Sequence, residues 1–485
     1  LFVINSAPTL HYDGEPVDVE VTFDSFGEVT DALTGQLVPS RWRDFKRVIR
    51  LELKAGDVRV LLGKPRPASW GADQSRYNDL NEHLQPNAKP YVAWRRSPTE
   101  LWVYDARSEL GMGMHGTSRD ALERVKTLGV RIVRHTVYWH NIEKTDKPGV
   151  YDQEALARYD GVIARAKEAD IELLLLLHGN PPGTGWENRE EGYQRFAEFA
   201  RFLVERYPSV RFWELWNEMD LSFTDLFGAE RPGYPLFERG RCYAQMLKLV
   251  YPAIKGANPK AWVLIGGIAA PPSEFIRGIY EEGGRDTFDF MNIHTYGVPL
   301  KWRMITSGYE AKLAMAGYGD FNRPIWNTEF GIDAGNLWEA WKVSTAEGFD
   351  EGHLNAWKSS ITEAMAQRIY AQILPYQFHS GNGRECDQEA AGIQLPVGHT
   401  MDDYGFGLVR RDGKTPRPTY NWLLAAQVNS RIQEEPVQTC DVTVGWDGTW
   451  EPAGYLFEAS GKSMTIKDVE IDSLEPTAIN LQPTN

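Results

Sequence analysis

Two glutamates stand at the ends of apolar, tryptophan-containing runs of the sequence. Glu218 closes "VRFWELWNE" (210–218), directly after Asn217, and Glu329 lies near the end of "RPIWNTEFG" (323–331). A single carboxylate in such a place is ordinarily a loop salt bridge, but two in matching surroundings favour a function. Two facing carboxylates suit cleavage of a glycosidic bond, because one donates a proton to the leaving oxygen while the other attacks the anomeric carbon.

Histidine and tyrosine side chains occupy similar places. His294 and Tyr296 are two residues apart in "NIHTY" (292–296), so they point to the same side of one strand. His115 and His178 close two further apolar runs and could contact a sugar. The histidines fit separate strands without an ion between them, and the three cysteines show no metal-ligand spacing. We therefore expect no metal and no cofactor.

The tryptophans are a second group of candidate binding residues. The chain contains 17 of them, a high count that core packing explains in large part. Others can serve as platforms for a sugar, because the apolar face of a pyranose packs on an aromatic ring. We expect sugar-stacking walls at three tryptophans that follow strands or lie in the loops after them, namely Trp139, Trp186 and Trp302.

These side chains can act together only if the elements that carry them end at one place. Apolar runs alternate with amphipathic helical segments through the middle of the chain, and the runs are apolar at nearly every position, as is typical of buried parallel strands. Seven such runs are "LGMGMH" (110–115), "VRIVRHTVYW" (130–139), "IELLLLLH" (171–178), "VRFWELWNE" (210–218), "AWVLIGG" (261–267), "FDFMNIHTY" (288–296) and "RPIWNTEFG" (323–331). For an eighth strand, "AQILPYQFH" (371–379) and "YGFGLV" (404–409) compete.

Eight alternations predict an α/β fold, the TIM (β/α)8 barrel. A doubly wound sheet is the rival architecture, but "GMGMHG" (111–116) lacks the spacing and the helix opening of a Gly-rich phosphate-binding fingerprint. Barrel chemistry lies at the C-terminal ends of the strands. Glu218 on the fourth strand and Glu329 on the seventh would therefore face one common mouth.

The segments on both sides of the barrel have a different character. Runs such as "VDVEVTF" (17–23) and "CDVTVGWDGTW" (440–450) are typical of short β-strands. We expect a β-rich N-terminal region at 1–105, the catalytic barrel at 106–427 and a β-rich C-terminal region at 428–485. The two flanks are expected to pack together as one accessory domain.

Net charge and hydropathy indicate which kinds of molecule the protein can bind. A net charge of −15 argues against nucleic acid and favours a neutral or cationic substrate. The longest apolar run, "IELLLLLHG" (171–179), is too short to cross a bilayer, so no membrane span is expected. No signal peptide is visible, but the chain begins at Leu1 rather than Met, which fits a processed or trimmed N-terminus. A secreted or periplasmic location is favoured, although the start of the chain does not decide the compartment. No oligomeric state is predicted.

The ordered set of motifs resembles clan A of the glycoside hydrolases. Within that clan, "FWELWNEMDLSF" (212–223), followed by "YAQMLKLVYPAIKGANPKAWVLIGGIA" (243–269), is most similar to glycoside hydrolase family 39 and related bacterial glycosidases. "FDFMNIHTYG" and "RPIWNTEFG" continue the likeness, which covers about residues 108–335. Met219 departs from it, because many relatives carry proline at this position.

The resemblance implies a retaining glycoside hydrolase in which Glu218 is the general acid/base and Glu329 is the nucleophile. It further implies that Asn217 hydrogen-bonds the substrate 2-hydroxyl and that Tyr296 donates a hydrogen bond to Glu329. Arg134, in "RIVRH" (131–135), matches the arginine that clan members place near the nucleophile. Its charge would keep that carboxylate ionised.

Three classes of function follow from these residues. The leading prediction is hydrolysis of an oligo- or polysaccharide by double displacement. A transglycosylase would use the same two glutamates with an acceptor sugar in place of water. A non-catalytic carbohydrate-binding barrel is the third class, and the presence of both Glu218 and Glu329 argues against it. Glu214, deeper on the same face of its strand than Glu218, is expected to be structural and to pair with a buried arginine.

Overall fold

The computed structural model of the chain forms two compact units, Leu1–Leu80 and Asn81–Asn485. It describes residues 2–5, 17–23, 30–31, 38, 41–43, 46–53, 58–62, 91–97, 100–105, 109–114, 116–144, 147–179, 189–222, 235–269, 271–296, 300–320, 322–331, 346–366, 369–375, 407–409, 415–426, 429, 438–445, 463–472 and 474–480.

The first unit consists of antiparallel sheets within its described residues. Its strands are β1 (Phe2–Asn5), β2 (Val17–Phe23), β3 (Thr30–Asp31), β4 (Arg41–Arg43), β5 (Lys46–Leu53) and β6 (Val58–Leu62). They pair in the orders β1-β6-β3 and β2-β5-β4. Ile49 and Leu61 are fully buried and pack with Val38 and Leu51, which gives this unit a small core of its own.

The second unit contains the barrel. Among the described residues of this unit, β7 (Tyr91–Ser97) and β8 (Glu100–Asp105) precede the barrel. The barrel strands are β9 (Glu109–Leu110), β10 (Met112–Gly113), β11 (Ile132–Tyr138), β12 (Glu172–His178), β13 (Phe212–Leu215), β14 (Trp262–Ile265), β15 (Met291–Tyr296), β16 (Ile325–Gly331) and β17 (Gln372–Pro375). The described strands after the barrel are β18 (Gln438–Gly445), β19 (Ser463–Ile471) and β20 (Thr477–Asn480).

Parallel pairing joins the barrel strands into a closed ring. β10 to β14 pair in chain order, while β15, β16 and β17 pair in order and then return to β9. β9 and β10 are the two halves of one barrel strand, interrupted at Gly111. Parallel bridges between Leu264 and Phe290 and between Ile268 and Ile293 connect the two arcs. The predicted (β/α)8 barrel is confirmed.

The structure also decides between the two candidates for the eighth strand. Gln372–Pro375, within "AQILPYQFH", pairs in parallel with β16 on one side and with β9 on the other. Of the competing run "YGFGLV", residues 407–409 are described, and they contribute a single antiparallel bridge from Val409 to Pro416.

Helices surround the barrel and fill the connections between its strands. In chain order they are α1 (Arg119–Thr127), α2 (Trp139–Ile142), α3 (Gln153–Glu168), α4 (Arg189–Arg206), α5 (Met219–Ser222), α6 (Leu236–Ala257), α7 (Ser273–Glu281), α8 (Leu300–Ala316), α9 (Ala346–Ala366) and α10 (Pro418–Ala426). Throughout the described part of the chain, none of these helices has the length and apolar character needed to cross a bilayer.

Local sequence explains where these helices begin and which side they bury. The side chains of Ser118 and Asp152 accept backbone N–H bonds at the starts of α1 and α3, as N-caps do. The apolar face of α4 is buried from Tyr193 to Val204, and so is the apolar face of α6 from Tyr243 to Ile254. Helices with one apolar face are held mainly by packing that face on the strands.

Aromatic side chains close the base of the barrel, at the N-terminal ends of its strands. Trp94 from β7, Trp102 from β8 and Leu474 pack there against apolar residues in or next to the barrel strands. These residues are Ile132, Leu174, Phe212, Leu264, Phe290, Trp326 and Leu374. The two indole rings meet edge to face at 4.9 Å, a favourable geometry for an aromatic pair. The base is therefore a packed core, and the mouth is at the opposite end.

Strands from before and after the barrel share one sheet. β20 pairs antiparallel with β8, and β8 pairs with β7. The β18–β19 pair packs on them through a buried cluster made of Tyr91, Leu101, Val103, Val442, Val469 and Ile471. We keep the division of the chain at residues 105 and 427 as a proposal.

Candidate active site

The fourth strand ends in an unusual turn that carries Asn217 and Glu218 to the barrel mouth. Trp216 and Glu218 have φ angles of 71° and 46°, in the left-handed region that residues other than glycine rarely adopt. Such a conformation costs on the order of 1–3 kcal/mol per residue and persists only where the surroundings enforce it. The side chain of Glu218 is 24% exposed, so its carboxylate reaches the mouth.

Arg134, on the second strand, lies at the centre of a buried charge network. Its guanidinium donates to both carboxylate oxygens of Glu214, at 2.6 and 3.0 Å, to Glu329 Oε1, and to Asn217 Oδ1 at 3.0 Å. The expected pairing of Glu214 with a buried arginine is confirmed. Burial alone would lower the pKa of Arg134, but the two glutamates raise it, so the side chain stays charged.

Glu329, on the seventh strand, accepts hydrogen bonds from two sides. The Tyr296 hydroxyl donates to Oε2 at 2.5 Å, while Arg134 donates to Oε1. His294 Nδ1 lies 3.6 Å from Oε2. Burial alone would raise the pKa of Glu329, but the charges of His294 and Arg134, with the hydrogen bonds from Tyr296 and Arg134, lower it below its ordinary value. The carboxylate is therefore ionised and oriented.

His294 connects the two glutamates. Its Nδ1 lies 3.0 Å from Glu218 Oε1 and its Nε2 lies 3.0 Å from Thr328 Oγ1. The Thr328 hydroxyl accepts from Asn292 Nδ2 at 2.7 Å, and oxygens of Asn292 and Glu214 lie within its reach at 3.0 and 3.3 Å. Each ring nitrogen of His294 therefore has one polar partner, with Nε2 turned to Thr328 and Nδ1 to Glu218.

This arrangement leaves a shared proton between His294 and Glu218. A neutral imidazole accepts the carboxyl proton at Nδ1, and an imidazolium donates the same proton to the carboxylate. Burial alone would lower the pKa of His294, but Glu329 and Glu218 raise it above its ordinary value.

A break in strand register brings Thr328 into the barrel interior. β15 and β16 align Ile293 with Asn327 and then His294 with Glu329, so Thr328 is the extra residue of a bulge. Because of the bulge, both Thr328 and Glu329 reach polar partners inside the barrel. A pattern of alternating residues cannot reveal this, and Thr328 and Asn292 were not among the residues that we predicted for the site.

Six of the predicted site residues are therefore brought together: Glu218, Glu329, Asn217, Arg134, His294 and Tyr296. His178 is partly buried at the end of β12, with its ring centroid 4.9 Å from that of Trp216 and 6.0 Å from that of Tyr138. It adjoins the turn that carries Glu218. Trp302 lies partly buried in the first turn of α8, and His115 and Trp186 lie outside the described residues.

The expectation that Trp139 forms a sugar-stacking wall is wrong. β11 ends at Tyr138, and the short helix α2 turns the Trp139 ring into the protein, where it is fully buried. The ring stacks on Phe199 at 5.3 Å and packs on Phe196 at 5.5 Å, and its indole N–H donates to Glu143. A side chain held in this way has no face for a ligand.

Glu218, His294 and Glu329 also bring potential metal ligands together. One ligand atom from each lies within 4.8 Å of those of the other two. The hydrogen bond between His294 and Glu218, and the ion pair of His294 with Glu329, account for this closeness. The same figure is an upper limit for the closest approach of the two carboxylates, because an oxygen of Glu218 and one of Glu329 lie within 4.8 Å of each other.

Comparison with known proteins assigns the family. The family model described as Cellulase (glycosyl hydrolase family 5) matches residues 87–373, which is more than half of the chain. The chain belongs to glycosyl hydrolase family 5. It is therefore a clan A glycosidase, an enzyme whose substrate is a carbohydrate, as the resemblance of its motifs to that clan implies. The match ends within β17, so it includes the first seven strands of this family 5 barrel and the first two residues of the eighth.

Solved structures with the same fold include two bacterial enzymes. A family 39 glycoside hydrolase from the gut symbiont Bacteroides cellulosilyticus WH2 aligns over 97% of this chain and 98% of its own, with 15% identity and a TM-score of 0.50. An exo-β-1,4-mannosidase from Opitutaceae bacterium strain TAV5 aligns over 67% of this chain and 60% of its own, with 16% identity and a TM-score of 0.50. At these identities the likeness shows the fold. No curated protein matches this family 5 chain.

Proposed function

We propose that the protein hydrolyses glycosidic bonds of an oligo- or polysaccharide with retention of configuration, by double displacement. Glu329 is the nucleophile and Glu218 is the general acid/base. The observation that supports retention is the approach of their carboxylate oxygens to within 4.8 Å. Retaining enzymes hold the two carboxyl groups about 5–5.5 Å apart, whereas inverting enzymes need roughly 6.5–9.5 Å to admit a water between carboxylate and sugar.

In the first displacement Glu329 attacks the anomeric carbon. Arg134 and Tyr296 hold its carboxylate ionised and aimed at the mouth, so it can form a covalent bond to the sugar as the glycosidic C–O bond breaks. The departing oxygen takes the proton that Glu218 shares with His294. The bond to Glu329 replaces the one that is lost, and the leaving group departs as a neutral alcohol.

In the second displacement Glu218 acts as a base. It removes a proton from water, whose oxygen attacks the anomeric carbon and releases Glu329 as a carboxylate. Esterification of Glu329 takes away a negative charge that lies 3.6 Å from His294 Nδ1 in the free enzyme. The proton balance between His294 and Glu218 therefore changes between the two steps, as the switch from acid to base requires.

Asn217 is placed to bind the sugar next to the reacting carbon. Arg134 donates to Asn217 Oδ1 at 3.0 Å, which fixes the plane of the amide. The amide nitrogen can then donate to the substrate 2-hydroxyl, a contact that strengthens in an oxocarbenium-like transition state. His178, beside Trp216, is a further candidate to contact the same sugar ring.

The stereochemical course of the reaction tests this proposal. Aryl glycosides and polysaccharides are screened for a substrate, and proton NMR then follows the first-formed anomer before mutarotation. Retention is expected, and first appearance of the opposite anomer would overturn the role of Glu329. A 2-fluoro glycoside of the preferred sugar should label the peptide that contains Glu329, because the fluorine slows release of the covalent intermediate. Labelling of any other carboxylate would also reject the assignment.

A further inference from the structure

The turn that carries Glu218 is supported from behind by the end of the fifth strand. Tyr243, on α6, donates its hydroxyl to Leu215 O at 2.6 Å and accepts the Gly266 N–H at 3.0 Å. A Cβ on Gly266 would lie 2.3 Å from Trp216 O, so the segment after β14 lies directly against the left-handed turn. The segment 266–269 therefore forms part of the wall against which Glu218 is held.

Asp220 fixes the far end of that segment. The residue is 1% exposed, and both of its carboxylate oxygens lie 3.1 Å from the Ala269 backbone nitrogen, which donates to them. Arg239 donates to the Asp220 backbone oxygen and, at 3.3 Å, to that of Leu221, which holds α5 in place. A buried carboxylate two residues after Glu218 thus connects the acid/base turn to segment 266–269.

The same segment holds His294. A Cβ on Gly267 would lie 1.9 Å from both Cδ2 and Nε2 of the imidazole, so the histidine ring packs directly on the Gly267 backbone. The His294 backbone nitrogen donates to Ile268 O at 2.9 Å. His294 in turn lies at hydrogen-bonding distance from Glu218.

These contacts form a closed ring that begins and ends at Glu218. It runs along the chain to Asp220, across the hydrogen bond to Ala269, back to Gly267, across the packing contact to His294, and through Nδ1 to Glu218. A displacement of segment 266–269 would shift the imidazole relative to the carboxyl group whose proton it shares. Misplacement of a catalytic group by a fraction of an ångström reduces the rate of the step that uses it.

We propose that Asp220 is a positioning residue for the acid/base, which acts by holding segment 266–269 against His294. The inference rests on the proposed function, because it assumes that Glu218 transfers the proton. Asp220 contributes to the steps in which Glu218 gives or takes that proton, and it contributes little to attack by Glu329.

A pair of substrates separates this role from a structural one. Both are glycosides of the sugar that the wild-type enzyme prefers, one with an activated aryl leaving group and one with an alkyl or sugar leaving group. Proton donation matters for the poor leaving group and little for the activated one. Asp220→Ala should lower kcat/KM for the poor leaving group by about 10-fold or more. General acid catalysis contributes roughly 10²–10⁴-fold to the rate, and a displaced acid/base would lose part of that factor. The loss on the activated glycoside should be below about threefold, and added azide should raise its kcat.

Two more variants keep the outcome decisive. Asp220→Asn retains one acceptor oxygen but places an amide N–H₂ beside the Ala269 N–H. Its kcat/KM should therefore also fall more on the poor leaving group than on the activated one, but the ratio of the two values should change by only about threefold. Asp289→Asn is the matched control. Asp289 is also buried and also accepts a backbone N–H, that of Val263, near the start of the fifth strand and away from the mouth. This variant should lower the thermal midpoint and leave the ratio of the two kcat/KM values as in wild type.

The ratio of the two kcat/KM values decides between the roles. Equal losses on both substrates in Asp220→Ala, or an unchanged ratio in Asp220→Asn when the alanine variant does not fold, would overturn the positioning role. Glu218→Ala is measured alongside. If Glu218→Ala also loses activity equally on both substrates, the proposed function fails; if it shows the leaving-group bias and the Asp220 variants do not, only this inference fails.

Discussion

Replacing Arg134 by alanine should shift the pH at which the enzyme becomes active. Arg134 and Glu329 are 5% and 9% exposed and in direct contact, so solvent screens their attraction little. At an effective dielectric constant of about 20, unit charges about 4 Å apart interact by about 4 kcal/mol. That energy corresponds to about three pKa units.

The expected shift is smaller, because two partners of Glu329 remain. Tyr296 still donates to it. His294 becomes more fully protonated in the variant, because the positive charge of Arg134 lowers the pKa of the imidazole in the wild type. We expect the pKa of Glu329 to rise by about one to two units, within the range seen for loss of a cationic neighbour. A carboxylate whose pKa rises stays protonated up to a higher pH, so the acid limb of kcat/KM moves to higher pH.

The assay is the pH profile of kcat/KM on an activated aryl glycoside, whose first step needs the nucleophile and little proton donation. Arg134→Lys is the matched control, because it keeps the charge but cannot reach Glu214, Glu329 and Asn217 at once. Its acid limb should stay near wild type while its stability falls. Arg134→Ala should lose about 3–5 kcal/mol of stability, since Glu214 stays buried without its cation. An acid limb that does not move in Arg134→Ala would refute the reasoning.

Three more predictions concern single side chains. Glu218→Ala should lose most activity on poor leaving groups, while azide restores turnover of activated glycosides and yields a glycosyl azide; near-normal activity on a natural glycan would contradict the acid/base role. Tyr296→Phe removes one hydrogen bond to Glu329 and should move the acid limb of kcat/KM upward by less than Arg134→Ala does; a shift to lower pH would be inconsistent with the bond. Trp139→Ala should lower the free energy of unfolding, measured by urea denaturation, by about 3–5 kcal/mol and leave KM, measured from initial rates, unchanged. A raised KM at unchanged stability would show that Trp139 contacts the substrate after all.

The sequence predicts the barrel and its two glutamates for one physical reason. Strands that are apolar at nearly every position have to be buried on both faces, and parallel strands place their C-terminal ends at one mouth. A polar residue at such an end, such as Glu218, is then conspicuous. Glu214 was recognisable as structural because it lies deeper on the same strand, and its bond to Arg134 bears this out.

Other features depend on backbone geometry that residue types do not reveal. Thr328 reaches His294 because of a bulge, and strict alternation would turn it outward. The prediction that Trp139 contacts a sugar was wrong because the helix that follows β11 begins at that residue and redirects its side chain. Asp220 is a polar residue in a short helix, and only the fold shows that its partner is Ala269, on the neighbouring strand connection.

The sheet beneath the barrel has a consequence for how the chain folds during synthesis. Trp94 and Trp102 cover the barrel base early in the sequence, yet β8 receives its last neighbour, β20, only when the segment up to Asn480 has emerged from the ribosome. Pairings between residues so far apart in sequence form late and slowly. Until then β8 has an unpaired edge that can recruit strands from other chains. The order of synthesis thus makes the pairing of β20 with β8 a late step of assembly and a stage at which aggregation competes with folding.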